Sequence, residues 1–213
     1  MPMRTMDDLY PVMPWDAVDA AVFDVGNVLV RFDPPAILRR YLPDEEALWP
    51  RIMARAFRSP YWPMLDRGAV TLHEAAELMG GGDARLTAAI HLLMDRWPEM
   101  RDVVPEGLAL LEACRARGKK TFVLSNYHHE AFAMLKRRYR FLDGFDGMAV
   151  SGELHVCKPD PAIYRWLTDT YALDPSRLLF VDDSPANVET ALYMGWNALC
   201  YDEPGKLRRF FQL

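Results

Sequence analysis

Five side chains suited to phosphoryl transfer are scattered along this chain: Asp24, Ser125, Lys158 and the adjoining pair Asp182-Asp183. Asp24 ends the apolar run Ala20-Ala21-Val22-Phe23, Ser125-Asn126 follows Thr121-Phe122-Val123-Leu124, and Asp182-Asp183 follows Leu178-Leu179-Phe180-Val181. Lys158 comes a short loop after Met148-Ala149-Val150-Ser151. In a parallel α/β sheet the strand ends share one rim, and ligands bind there near the topological switch point. Residues far apart in sequence would then meet in space. They would bring together a carboxylate nucleophile, a hydroxyl donor, a cation and two further carboxylates. Taken singly, each is ordinary turn or cap chemistry; the argument lies in their placement after successive strand-like runs.

The elements that must position them read clearly. Residues 20–24 form a buried strand, Gly26-Asn27 turns the chain, and Val28–Phe32 makes a short hairpin-like excursion. Asp33-Pro34-Pro35 then opens a helix, because proline suits the first helical turn. Up to about residue 100 only helical spacing recurs, over 36–41, 45–57, 72–79 and 86–96. Pro50 is expected to kink or split the second of these, and Thr71 with Glu74 forms a capping box for the third. Beyond Pro105 a helix over 106–117 is closed by Gly118. Strands at 120–124, 147–150 and 177–181 then alternate with helices at 129–138, 160–171 and 185–193, before a last strand at 196–200 and a helix to about 211. Such alternation implies a parallel sheet with right-handed crossovers. The expected architecture is an α/β, Rossmann-like core over residues 1–33 and 101–213, interrupted by an all-helical cap over 34–100. Residues 1–18 read as an irregular lead-in whose later part packs on the core.

Composition narrows the function. With 51% apolar residues in 213, the chain can bury a substantial core. A net charge of −5 gives no basic surface for nucleic acid, so an anionic substrate needs a metal or a few placed cations. The cysteines Cys114, Cys157 and Cys200 have no metal-ligand spacing and suit a reducing compartment. No apolar run approaches the length of a membrane span, and no apolar signal core opens the chain. A cytoplasmic enzyme acting on a small molecule is the expectation.

Four segments carry a resemblance. Phe23-Asp24-Val25-Gly26-Asn27-Val28, Leu124-Ser125-Asn126, Cys157-Lys158-Pro159-Asp160-Pro161 and Phe180-Val181-Asp182-Asp183-Ser184 resemble the four motifs of the haloacid dehalogenase-like hydrolases, in order and at plausible spacing. The helical insertion resembles the small cap of phosphoglycolate phosphatase-like members. The first motif, with Asn187-Val188 after the last, is similar to a bacterial α-D-glucose-1-phosphate phosphatase subgroup. The resemblance implies that Asp24 attacks phosphorus and forms an aspartyl-phosphate that water hydrolyses. It implies a Mg²⁺ held by Asp24, the Gly26 carbonyl and Asp183, with Asp182 and Asn187 behind them; Asn187 would orient Asp183 or face solvent. Ser125 and Lys158 would bind the transferring phosphoryl oxygens, with Asn126 and Asn27 adding donors to the substrate. The substrate implied is a small phosphorylated metabolite, a hexose 1-phosphate being one example.

One position departs from the pattern. Most phosphatases of this family carry a second aspartate two residues after the nucleophile, as general acid and base, and here that residue is Gly26. Candidate substitutes are Asn27, a water on the metal, and His128, His129 or His155. The aromatic residues Trp49, Phe57, Tyr61, Trp62 and Trp97 with Met64 make either a cap core or a substrate wall, and Trp62–Gly68 lies where the family sets specificity, with Asp66 or Arg67 in reach of substrate. Three alternatives stay open: a metal-free 2-haloacid dehalogenase, which also lacks the second aspartate, a catalytically silent binding or regulatory protein, and a phosphotransferase moving phosphate between positions on a sugar, which the missing aspartate disfavours. The carboxylate pair Asp182-Asp183 beside Asp24 weighs against the first.

Overall fold

The computed structural model describes Asp8 and residues 14–213. Five strands, β1 (Ala20–Phe23), β2 (Lys120–Ser125), β3 (Gly147–Val150), β4 (Leu178–Asp182) and β5 (Asn197–Cys200), form one sheet in the order β3-β2-β1-β4-β5. Every pairing is parallel, with Ala20 opposite both Lys120 and Leu178. The four residues of β1 are all buried, which is why the strand reads as an unbroken apolar run rather than an alternation. β1 lies between β2 and β4, so the chain winds away from it in both directions. The crevice at its carboxyl end is the switch point at which such sheets bind ligands.

The sheet has helices on both faces. Ala21, Phe23, Val123, Leu179 and Val181 belong to one apolar cluster that includes Leu111 and Phe211, whereas Ala20, Val22, Phe122, Leu124 and Phe180 belong to a second with Ile163 and Val188. The two-residue period of the strands sorts neighbouring side chains to opposite faces. Helices α6 (Pro105–Ala116), α7 (His129–Arg138) and α11 (Lys206–Phe211) serve the first cluster, and α9 (Pro161–Tyr171) and α10 (Pro185–Tyr193) the second. The α/β expectation therefore holds, with strand bounds within a residue or two of those read from the sequence.

Between residues 34 and 100 all regular structure is helical: α1 (Pro34–Tyr41), α2 (Trp49–Ile52), α3 (Tyr61–Asp66), α4 (Leu72–Gly80) and α5 (Ala84–Asp95), with short 3₁₀ turns and a π-helical turn at Met53–Phe57. The helix expected over 45–57 is split three ways, because Pro50 fits only the first turn of α2 and the wider turn follows it. The Thr71–Glu74 capping box opens α4. Two short helices escaped the sequence reading, α3 and α8 (Ser151–Leu154), since one or two turns are too brief to show periodicity. The hairpin-like excursion is instead a tight turn, with Val30 bridged to Gly26 and, antiparallel, to Val103. The two passages into the helical segment thus run side by side. Of the lead-in, residues 1–7 and 9–13 lie outside the described residues; Val18 is buried and Trp15 packs on Phe211.

Candidate active site

The amide of Asp24 donates to the Val181 carbonyl at 2.9 Å, one step past the β1–β4 pairing, and this fixes the carboxylate at the rim. The amides of Leu29 and Val30 then both return to the Val25 carbonyl, at 3.0 and 2.9 Å, and the tight turn puts Asn27 at φ 55°. Asparagine tolerates that left-handed conformation better than most residues. Its side chain is consumed in the turn: Oδ1 accepts from the Phe32 amide at 2.8 Å and Nδ2 donates to Asp183 Oδ2 at 2.8 Å. Asn27 therefore aims Asp183, and it lines the cavity beside it.

Three donors converge on one oxygen of Asp24. Oδ1 accepts from the Val25 amide at 2.7 Å, the Ser125 hydroxyl at 2.7 Å and Lys158 Nζ at 2.9 Å. Among the described residues none hydrogen-bonds Oδ2, which is left for chemistry. Burial raises the Asp24 carboxyl to about 6; Lys158 and Ser125 pull it down, while Asp182 and Asp183 push it up. This is a carboxylate kept reactive by incomplete neutralisation.

Lys158 bridges Asp24 and Asp182, with Nζ 2.6 Å from Asp182 Oδ2. Burial works against its charge, but Asp182 and Asp24 outweigh it and hold the ammonium above the usual lysine range. Its loop is clamped from both sides by Asn126, whose Nδ2 donates to the Lys158 carbonyl at 2.9 Å while Oδ1 accepts from the Lys158 amide at 2.7 Å. The Asn126 side chain thereby braces the loop, and the residue also lines the cavity above the strand ends.

Asp182 is fully buried and fully occupied. Besides Lys158, Oδ1 accepts from the Ser184 amide at 2.8 Å, and Asn187 Nδ2 reaches both oxygens, at 2.9 and 3.1 Å. Asn187 thus orients Asp182 and not Asp183, because the first turn of α10 brings it under the strand end. Burial raises the Asp183 carboxyl, with Asn27 opposing. Oxygens of Asp24, Asp182 and Asp183 lie within 4.8 Å of one another. With Asp182 spent on Lys158 and Asn187, Asp24 and Asp183 are the carboxylates that could hold a cation. Oxygen ligands of this kind fit Mg²⁺. The Gly26 carbonyl accepts from the Val28 amide at 2.7 Å, which leaves a second lone pair.

A cavity of about 230 Å³ opens over these groups. Its floor holds Asp24 and Asp183, and its walls are mainly apolar, with Phe32, Trp62 and Trp97 among them. Phe32 and Trp62 stack at 5.6 Å, and Trp62 lies 5.3 Å from Trp97. Of the set read from the sequence, Trp62 and Trp97 line the cavity, Trp49, Phe57 and Tyr61 pack on the core, and Met64 is exposed. Asp66 lines the cavity, whereas Arg67 turns outward and its carbonyl faces His155 Nδ1 at 3.0 Å. The histidines mostly fasten the helical segment to the sheet: His128 Nε2 meets the Val70 carbonyl at 3.1 Å, and burial lowers its pKa. The His129 ring lies tilted against that of His128, with centroids 4.4 Å apart. Ser151 ties the same junction, its hydroxyl donating to the Asp66 carbonyl at 2.6 Å while accepting from the Tyr127 amide at 2.9 Å.

Two lining residues went unread in the sequence, Arg101 and Tyr127. Neither sits in a motif. Only the side-by-side run of the two passages, seen in the Val30–Val103 bridge, carries Arg101 back over the strand ends.

A family model, described as haloacid dehalogenase-like hydrolase, matches residues 18–195. The chain belongs to the haloacid dehalogenase-like hydrolases. Members similar to it include the phosphoglycolate phosphatase of Rhodospirillum rubrum, 34% identical over 44% of this chain and 39% of the relative. The (S)-2-haloacid dehalogenase 1 of a Pseudomonas strain is 27% identical over 50% of this chain and 47% of its own. Acyl-CoA dehydrogenase family member 10 of Mus musculus is 25% identical over 87% of this chain but only 18% of its own. The chain thus spans less than half of the length of each of these relatives. Among solved structures, a haloacid dehalogenase-like enzyme of Bacteroides thetaiotaomicron, complexed with magnesium and inorganic phosphate, aligns with TM-score 0.69 at 19% identity over 89% of this chain and 98% of its own. That likeness is one of fold. As a haloacid dehalogenase-like hydrolase the chain is an enzyme, and no described helix is long and apolar enough to cross a membrane.

Proposed function

We propose that this hydrolase is a Mg²⁺-dependent phosphomonoesterase of small phosphorylated metabolites, with Asp24 as nucleophile and residues 34–100 as the cap over its site. The observation that carries this reading is the carboxylate cluster: Asp183 stands within ligand distance of Asp24 while Lys158 is already spent between Asp24 and Asp182. A halide-displacing site without metal gains nothing from a further carboxylate crowding the nucleophile, since like charges there disfavour its ionised form. A divalent cation held by Asp24, Asp183 and the Gly26 carbonyl would offset the repulsion between carboxylate and phosphate.

The side chains divide the remaining work. Oδ2 of Asp24 attacks phosphorus, while Oδ1 stays pinned by Ser125, Val25 and Lys158. The Ser125 hydroxyl and the Lys158 ammonium stabilise charge as it moves onto the phosphoryl oxygens. Water then hydrolyses the aspartyl-phosphate. Gly26 supplies no acid–base group, and His128 and His155 are held by backbone carbonyls of the helical segment. This favours substrates whose leaving group departs without strong protonation. A hexose 1-phosphate meets that condition, and the lining supplies polar side chains for its hydroxyls in Asp66, Arg101, Tyr127 and His128.

The test is phosphate release from a panel of phosphomonoesters with Mg²⁺ and with EDTA. Turnover that needs the metal is the expected result; haloacid hydrolysis in EDTA with no phosphate release would replace this reading with the dehalogenase one.

A further inference from the structure

A second group of side chains with metal-ligand chemistry lies on the helical segment, apart from the strand ends. His73 and Glu77 stand four residues apart on α4, so they share one face of the helix a turn apart. Gly81, at φ 60°, ends α4, and Asp83 opens α5 by accepting from the Arg85 and Leu86 amides. The short connection folds α5 back along α4. The two helices run so close that a Cβ on Gly80 would lie 1.9 Å from Thr87 Oγ1. One turn farther from the connection, Glu77 faces His91 across the helix pair, with His91 Nε2 2.9 Å from Glu77 Oε1. The His73 ring lies against the His91 ring, with centroids 4.6 Å apart. One ligand atom from each of His73, Glu77 and His91 lies within 4.8 Å of the others.

An interhelical hydrogen bond accounts for Glu77 and His91. It does not account for a second imidazole brought ring to ring against the first, because the two rings repel when both are protonated. A metal ion turns the same arrangement to advantage: it takes the place of the proton between Glu77 and His91 and draws in His73.

We propose that His73, Glu77 and His91 form a Zn²⁺ site that staples α4 to α5, with one further position open to water. The site is independent of the phosphatase reading. Two imidazoles and a carboxylate are a donor set that zinc accepts, whereas Mg²⁺ prefers all-oxygen sites such as the Asp24, Asp182 and Asp183 cluster. Two ligands on one zinc stand at most about 4 Å apart, twice the metal–ligand bond, so the three side chains need shift by no more than about 1 Å. They are free to do so, since His73 and Glu77 are exposed and His91 is half-buried. Glu77 and His91 also line an open cavity of about 380 Å³, which gives the ion an entry path and leaves room for water. Leu72, the neighbour of His73, lines the cavity over Asp24, so the ion would fasten a helix that contributes to that wall.

The experiment titrates Zn²⁺ into the full-length, tag-free chain by calorimetry in excess Mg²⁺, which competes for carboxylate sites and not for imidazole ones. Wild type is compared with His73→Gln, His91→Gln and Glu77→Gln, whose folds are checked by circular dichroism. Wild type is expected to bind one zinc ion more than either histidine variant, with micromolar affinity or better. Each histidine variant should weaken that binding by over ~100-fold, more than the loss of a partner behind a ligand costs, with Glu77→Gln in between. At a zinc concentration ~100 times Kd, the wild-type Tm should rise by about 5 °C more than that of the histidine variants. Millimolar binding to wild type, binding that survives in both histidine variants, or no rise in Tm at saturating zinc overturns the inference. None of these readouts depends on turnover, so the phosphatase reading stands or falls separately.

Discussion

The two ends of the cavity are built on opposite terms. At the sheet rim every charged side chain has a partner within the protein: Lys158 is shared by Asp24 and Asp182, Asn187 and Ser184 complete Asp182, and Asn27 holds Asp183. At the helical end Arg101 keeps an unpaired nitrogen and Asp66 keeps a proton that an exposed aspartate would lose. The rim is organised before any ligand arrives, whereas the far end retains polar capacity that the protein's own groups leave unused. A saturated end suits a reaction common to many substrates, and an unsaturated end suits the choice among them. Electrostatic stabilisation depends on such prior organisation.

The comparison predicts that damage at the rim is severe. Asp24→Asn should lower turnover by ~10⁴-fold or more while the fold, read by circular dichroism, is kept, as expected when a group acting in covalent catalysis is removed. Residual turnover within tenfold of wild type would sink the nucleophile assignment. Lys158→Met should cost about 3–5 kcal/mol in denaturant unfolding, because it strands two buried carboxylates. The double variant Lys158→Met/Asp182→Asn should recover part of that loss, since one of the stranded charges goes with it. Additive losses would mean that the lysine acts elsewhere.

Gly26 marks the one place where the rim is less equipped than the family pattern. A Cβ built there meets nothing closer than Asp24 Oδ2 at 3.9 Å, so a side chain fits beside the nucleophile. Gly26→Asp should raise turnover of alkyl phosphates by ~10-fold, the lower edge of what a general acid supplies, and change aryl phosphates less. An equal effect on both would show that the carboxyl does not protonate the leaving group.

How much of this was legible in the sequence follows the same division. Asp24, Ser125 and Asp182-Asp183 stand at the ends of β-rich runs, and Lys158 a short loop beyond another, so their convergence on the rim of a parallel sheet could be deduced before any coordinates. The roles of the amides could not. Asn27 and Asn126 also brace the protein's own frame, and Asn187 meets Asp182 rather than Asp183, because an amide near a site reads alike whatever it meets. The partners Phe32 and Asp182 are set by local turn geometry, and Lys158 by the approach of a loop 32 residues away. Arg101 was invisible for a different reason. It belongs to no element, and its place over the site depends on how two linkers pair across about seventy intervening residues.

The unsaturated end gives a smaller signal that depends on pH. Folding raises the Asp66 carboxyl from 3.8 to about 7, so between those values the native protein holds a proton that the unfolded chain has released. The stability this group contributes is fully present below about pH 4 and is lost as pH rises through 7. Asp66→Asn, measured in EDTA, should therefore gain in Tm relative to wild type as the buffer goes from pH 5 to pH 8, by a few degrees. A difference in Tm independent of pH would mean that Asp66 ionises normally and that Arg101 already has its counter-ion.

The smallest expected effect belongs to the junction between the two ends. His155 sits at φ 57°, and its Nδ1 meets the Arg67 carbonyl at 3.0 Å, next to Gly68, where an added Cβ would lie 2.5 Å from the Gly152 carbonyl oxygen. Backbone contact this close already fixes the approach of the helical segment, so one exposed histidine adds little. His155→Asn removes the ring and keeps a residue that tolerates the left-handed backbone. It should change kcat/KM by less than about threefold and stability by under about 1 kcal/mol, the scale of a single net hydrogen bond. A hundredfold fall in kcat with KM unchanged would instead place the histidine in the chemistry that Gly26 leaves open. The junction would then count as part of the rim, and the division between a saturated and an unsaturated end would have to be redrawn.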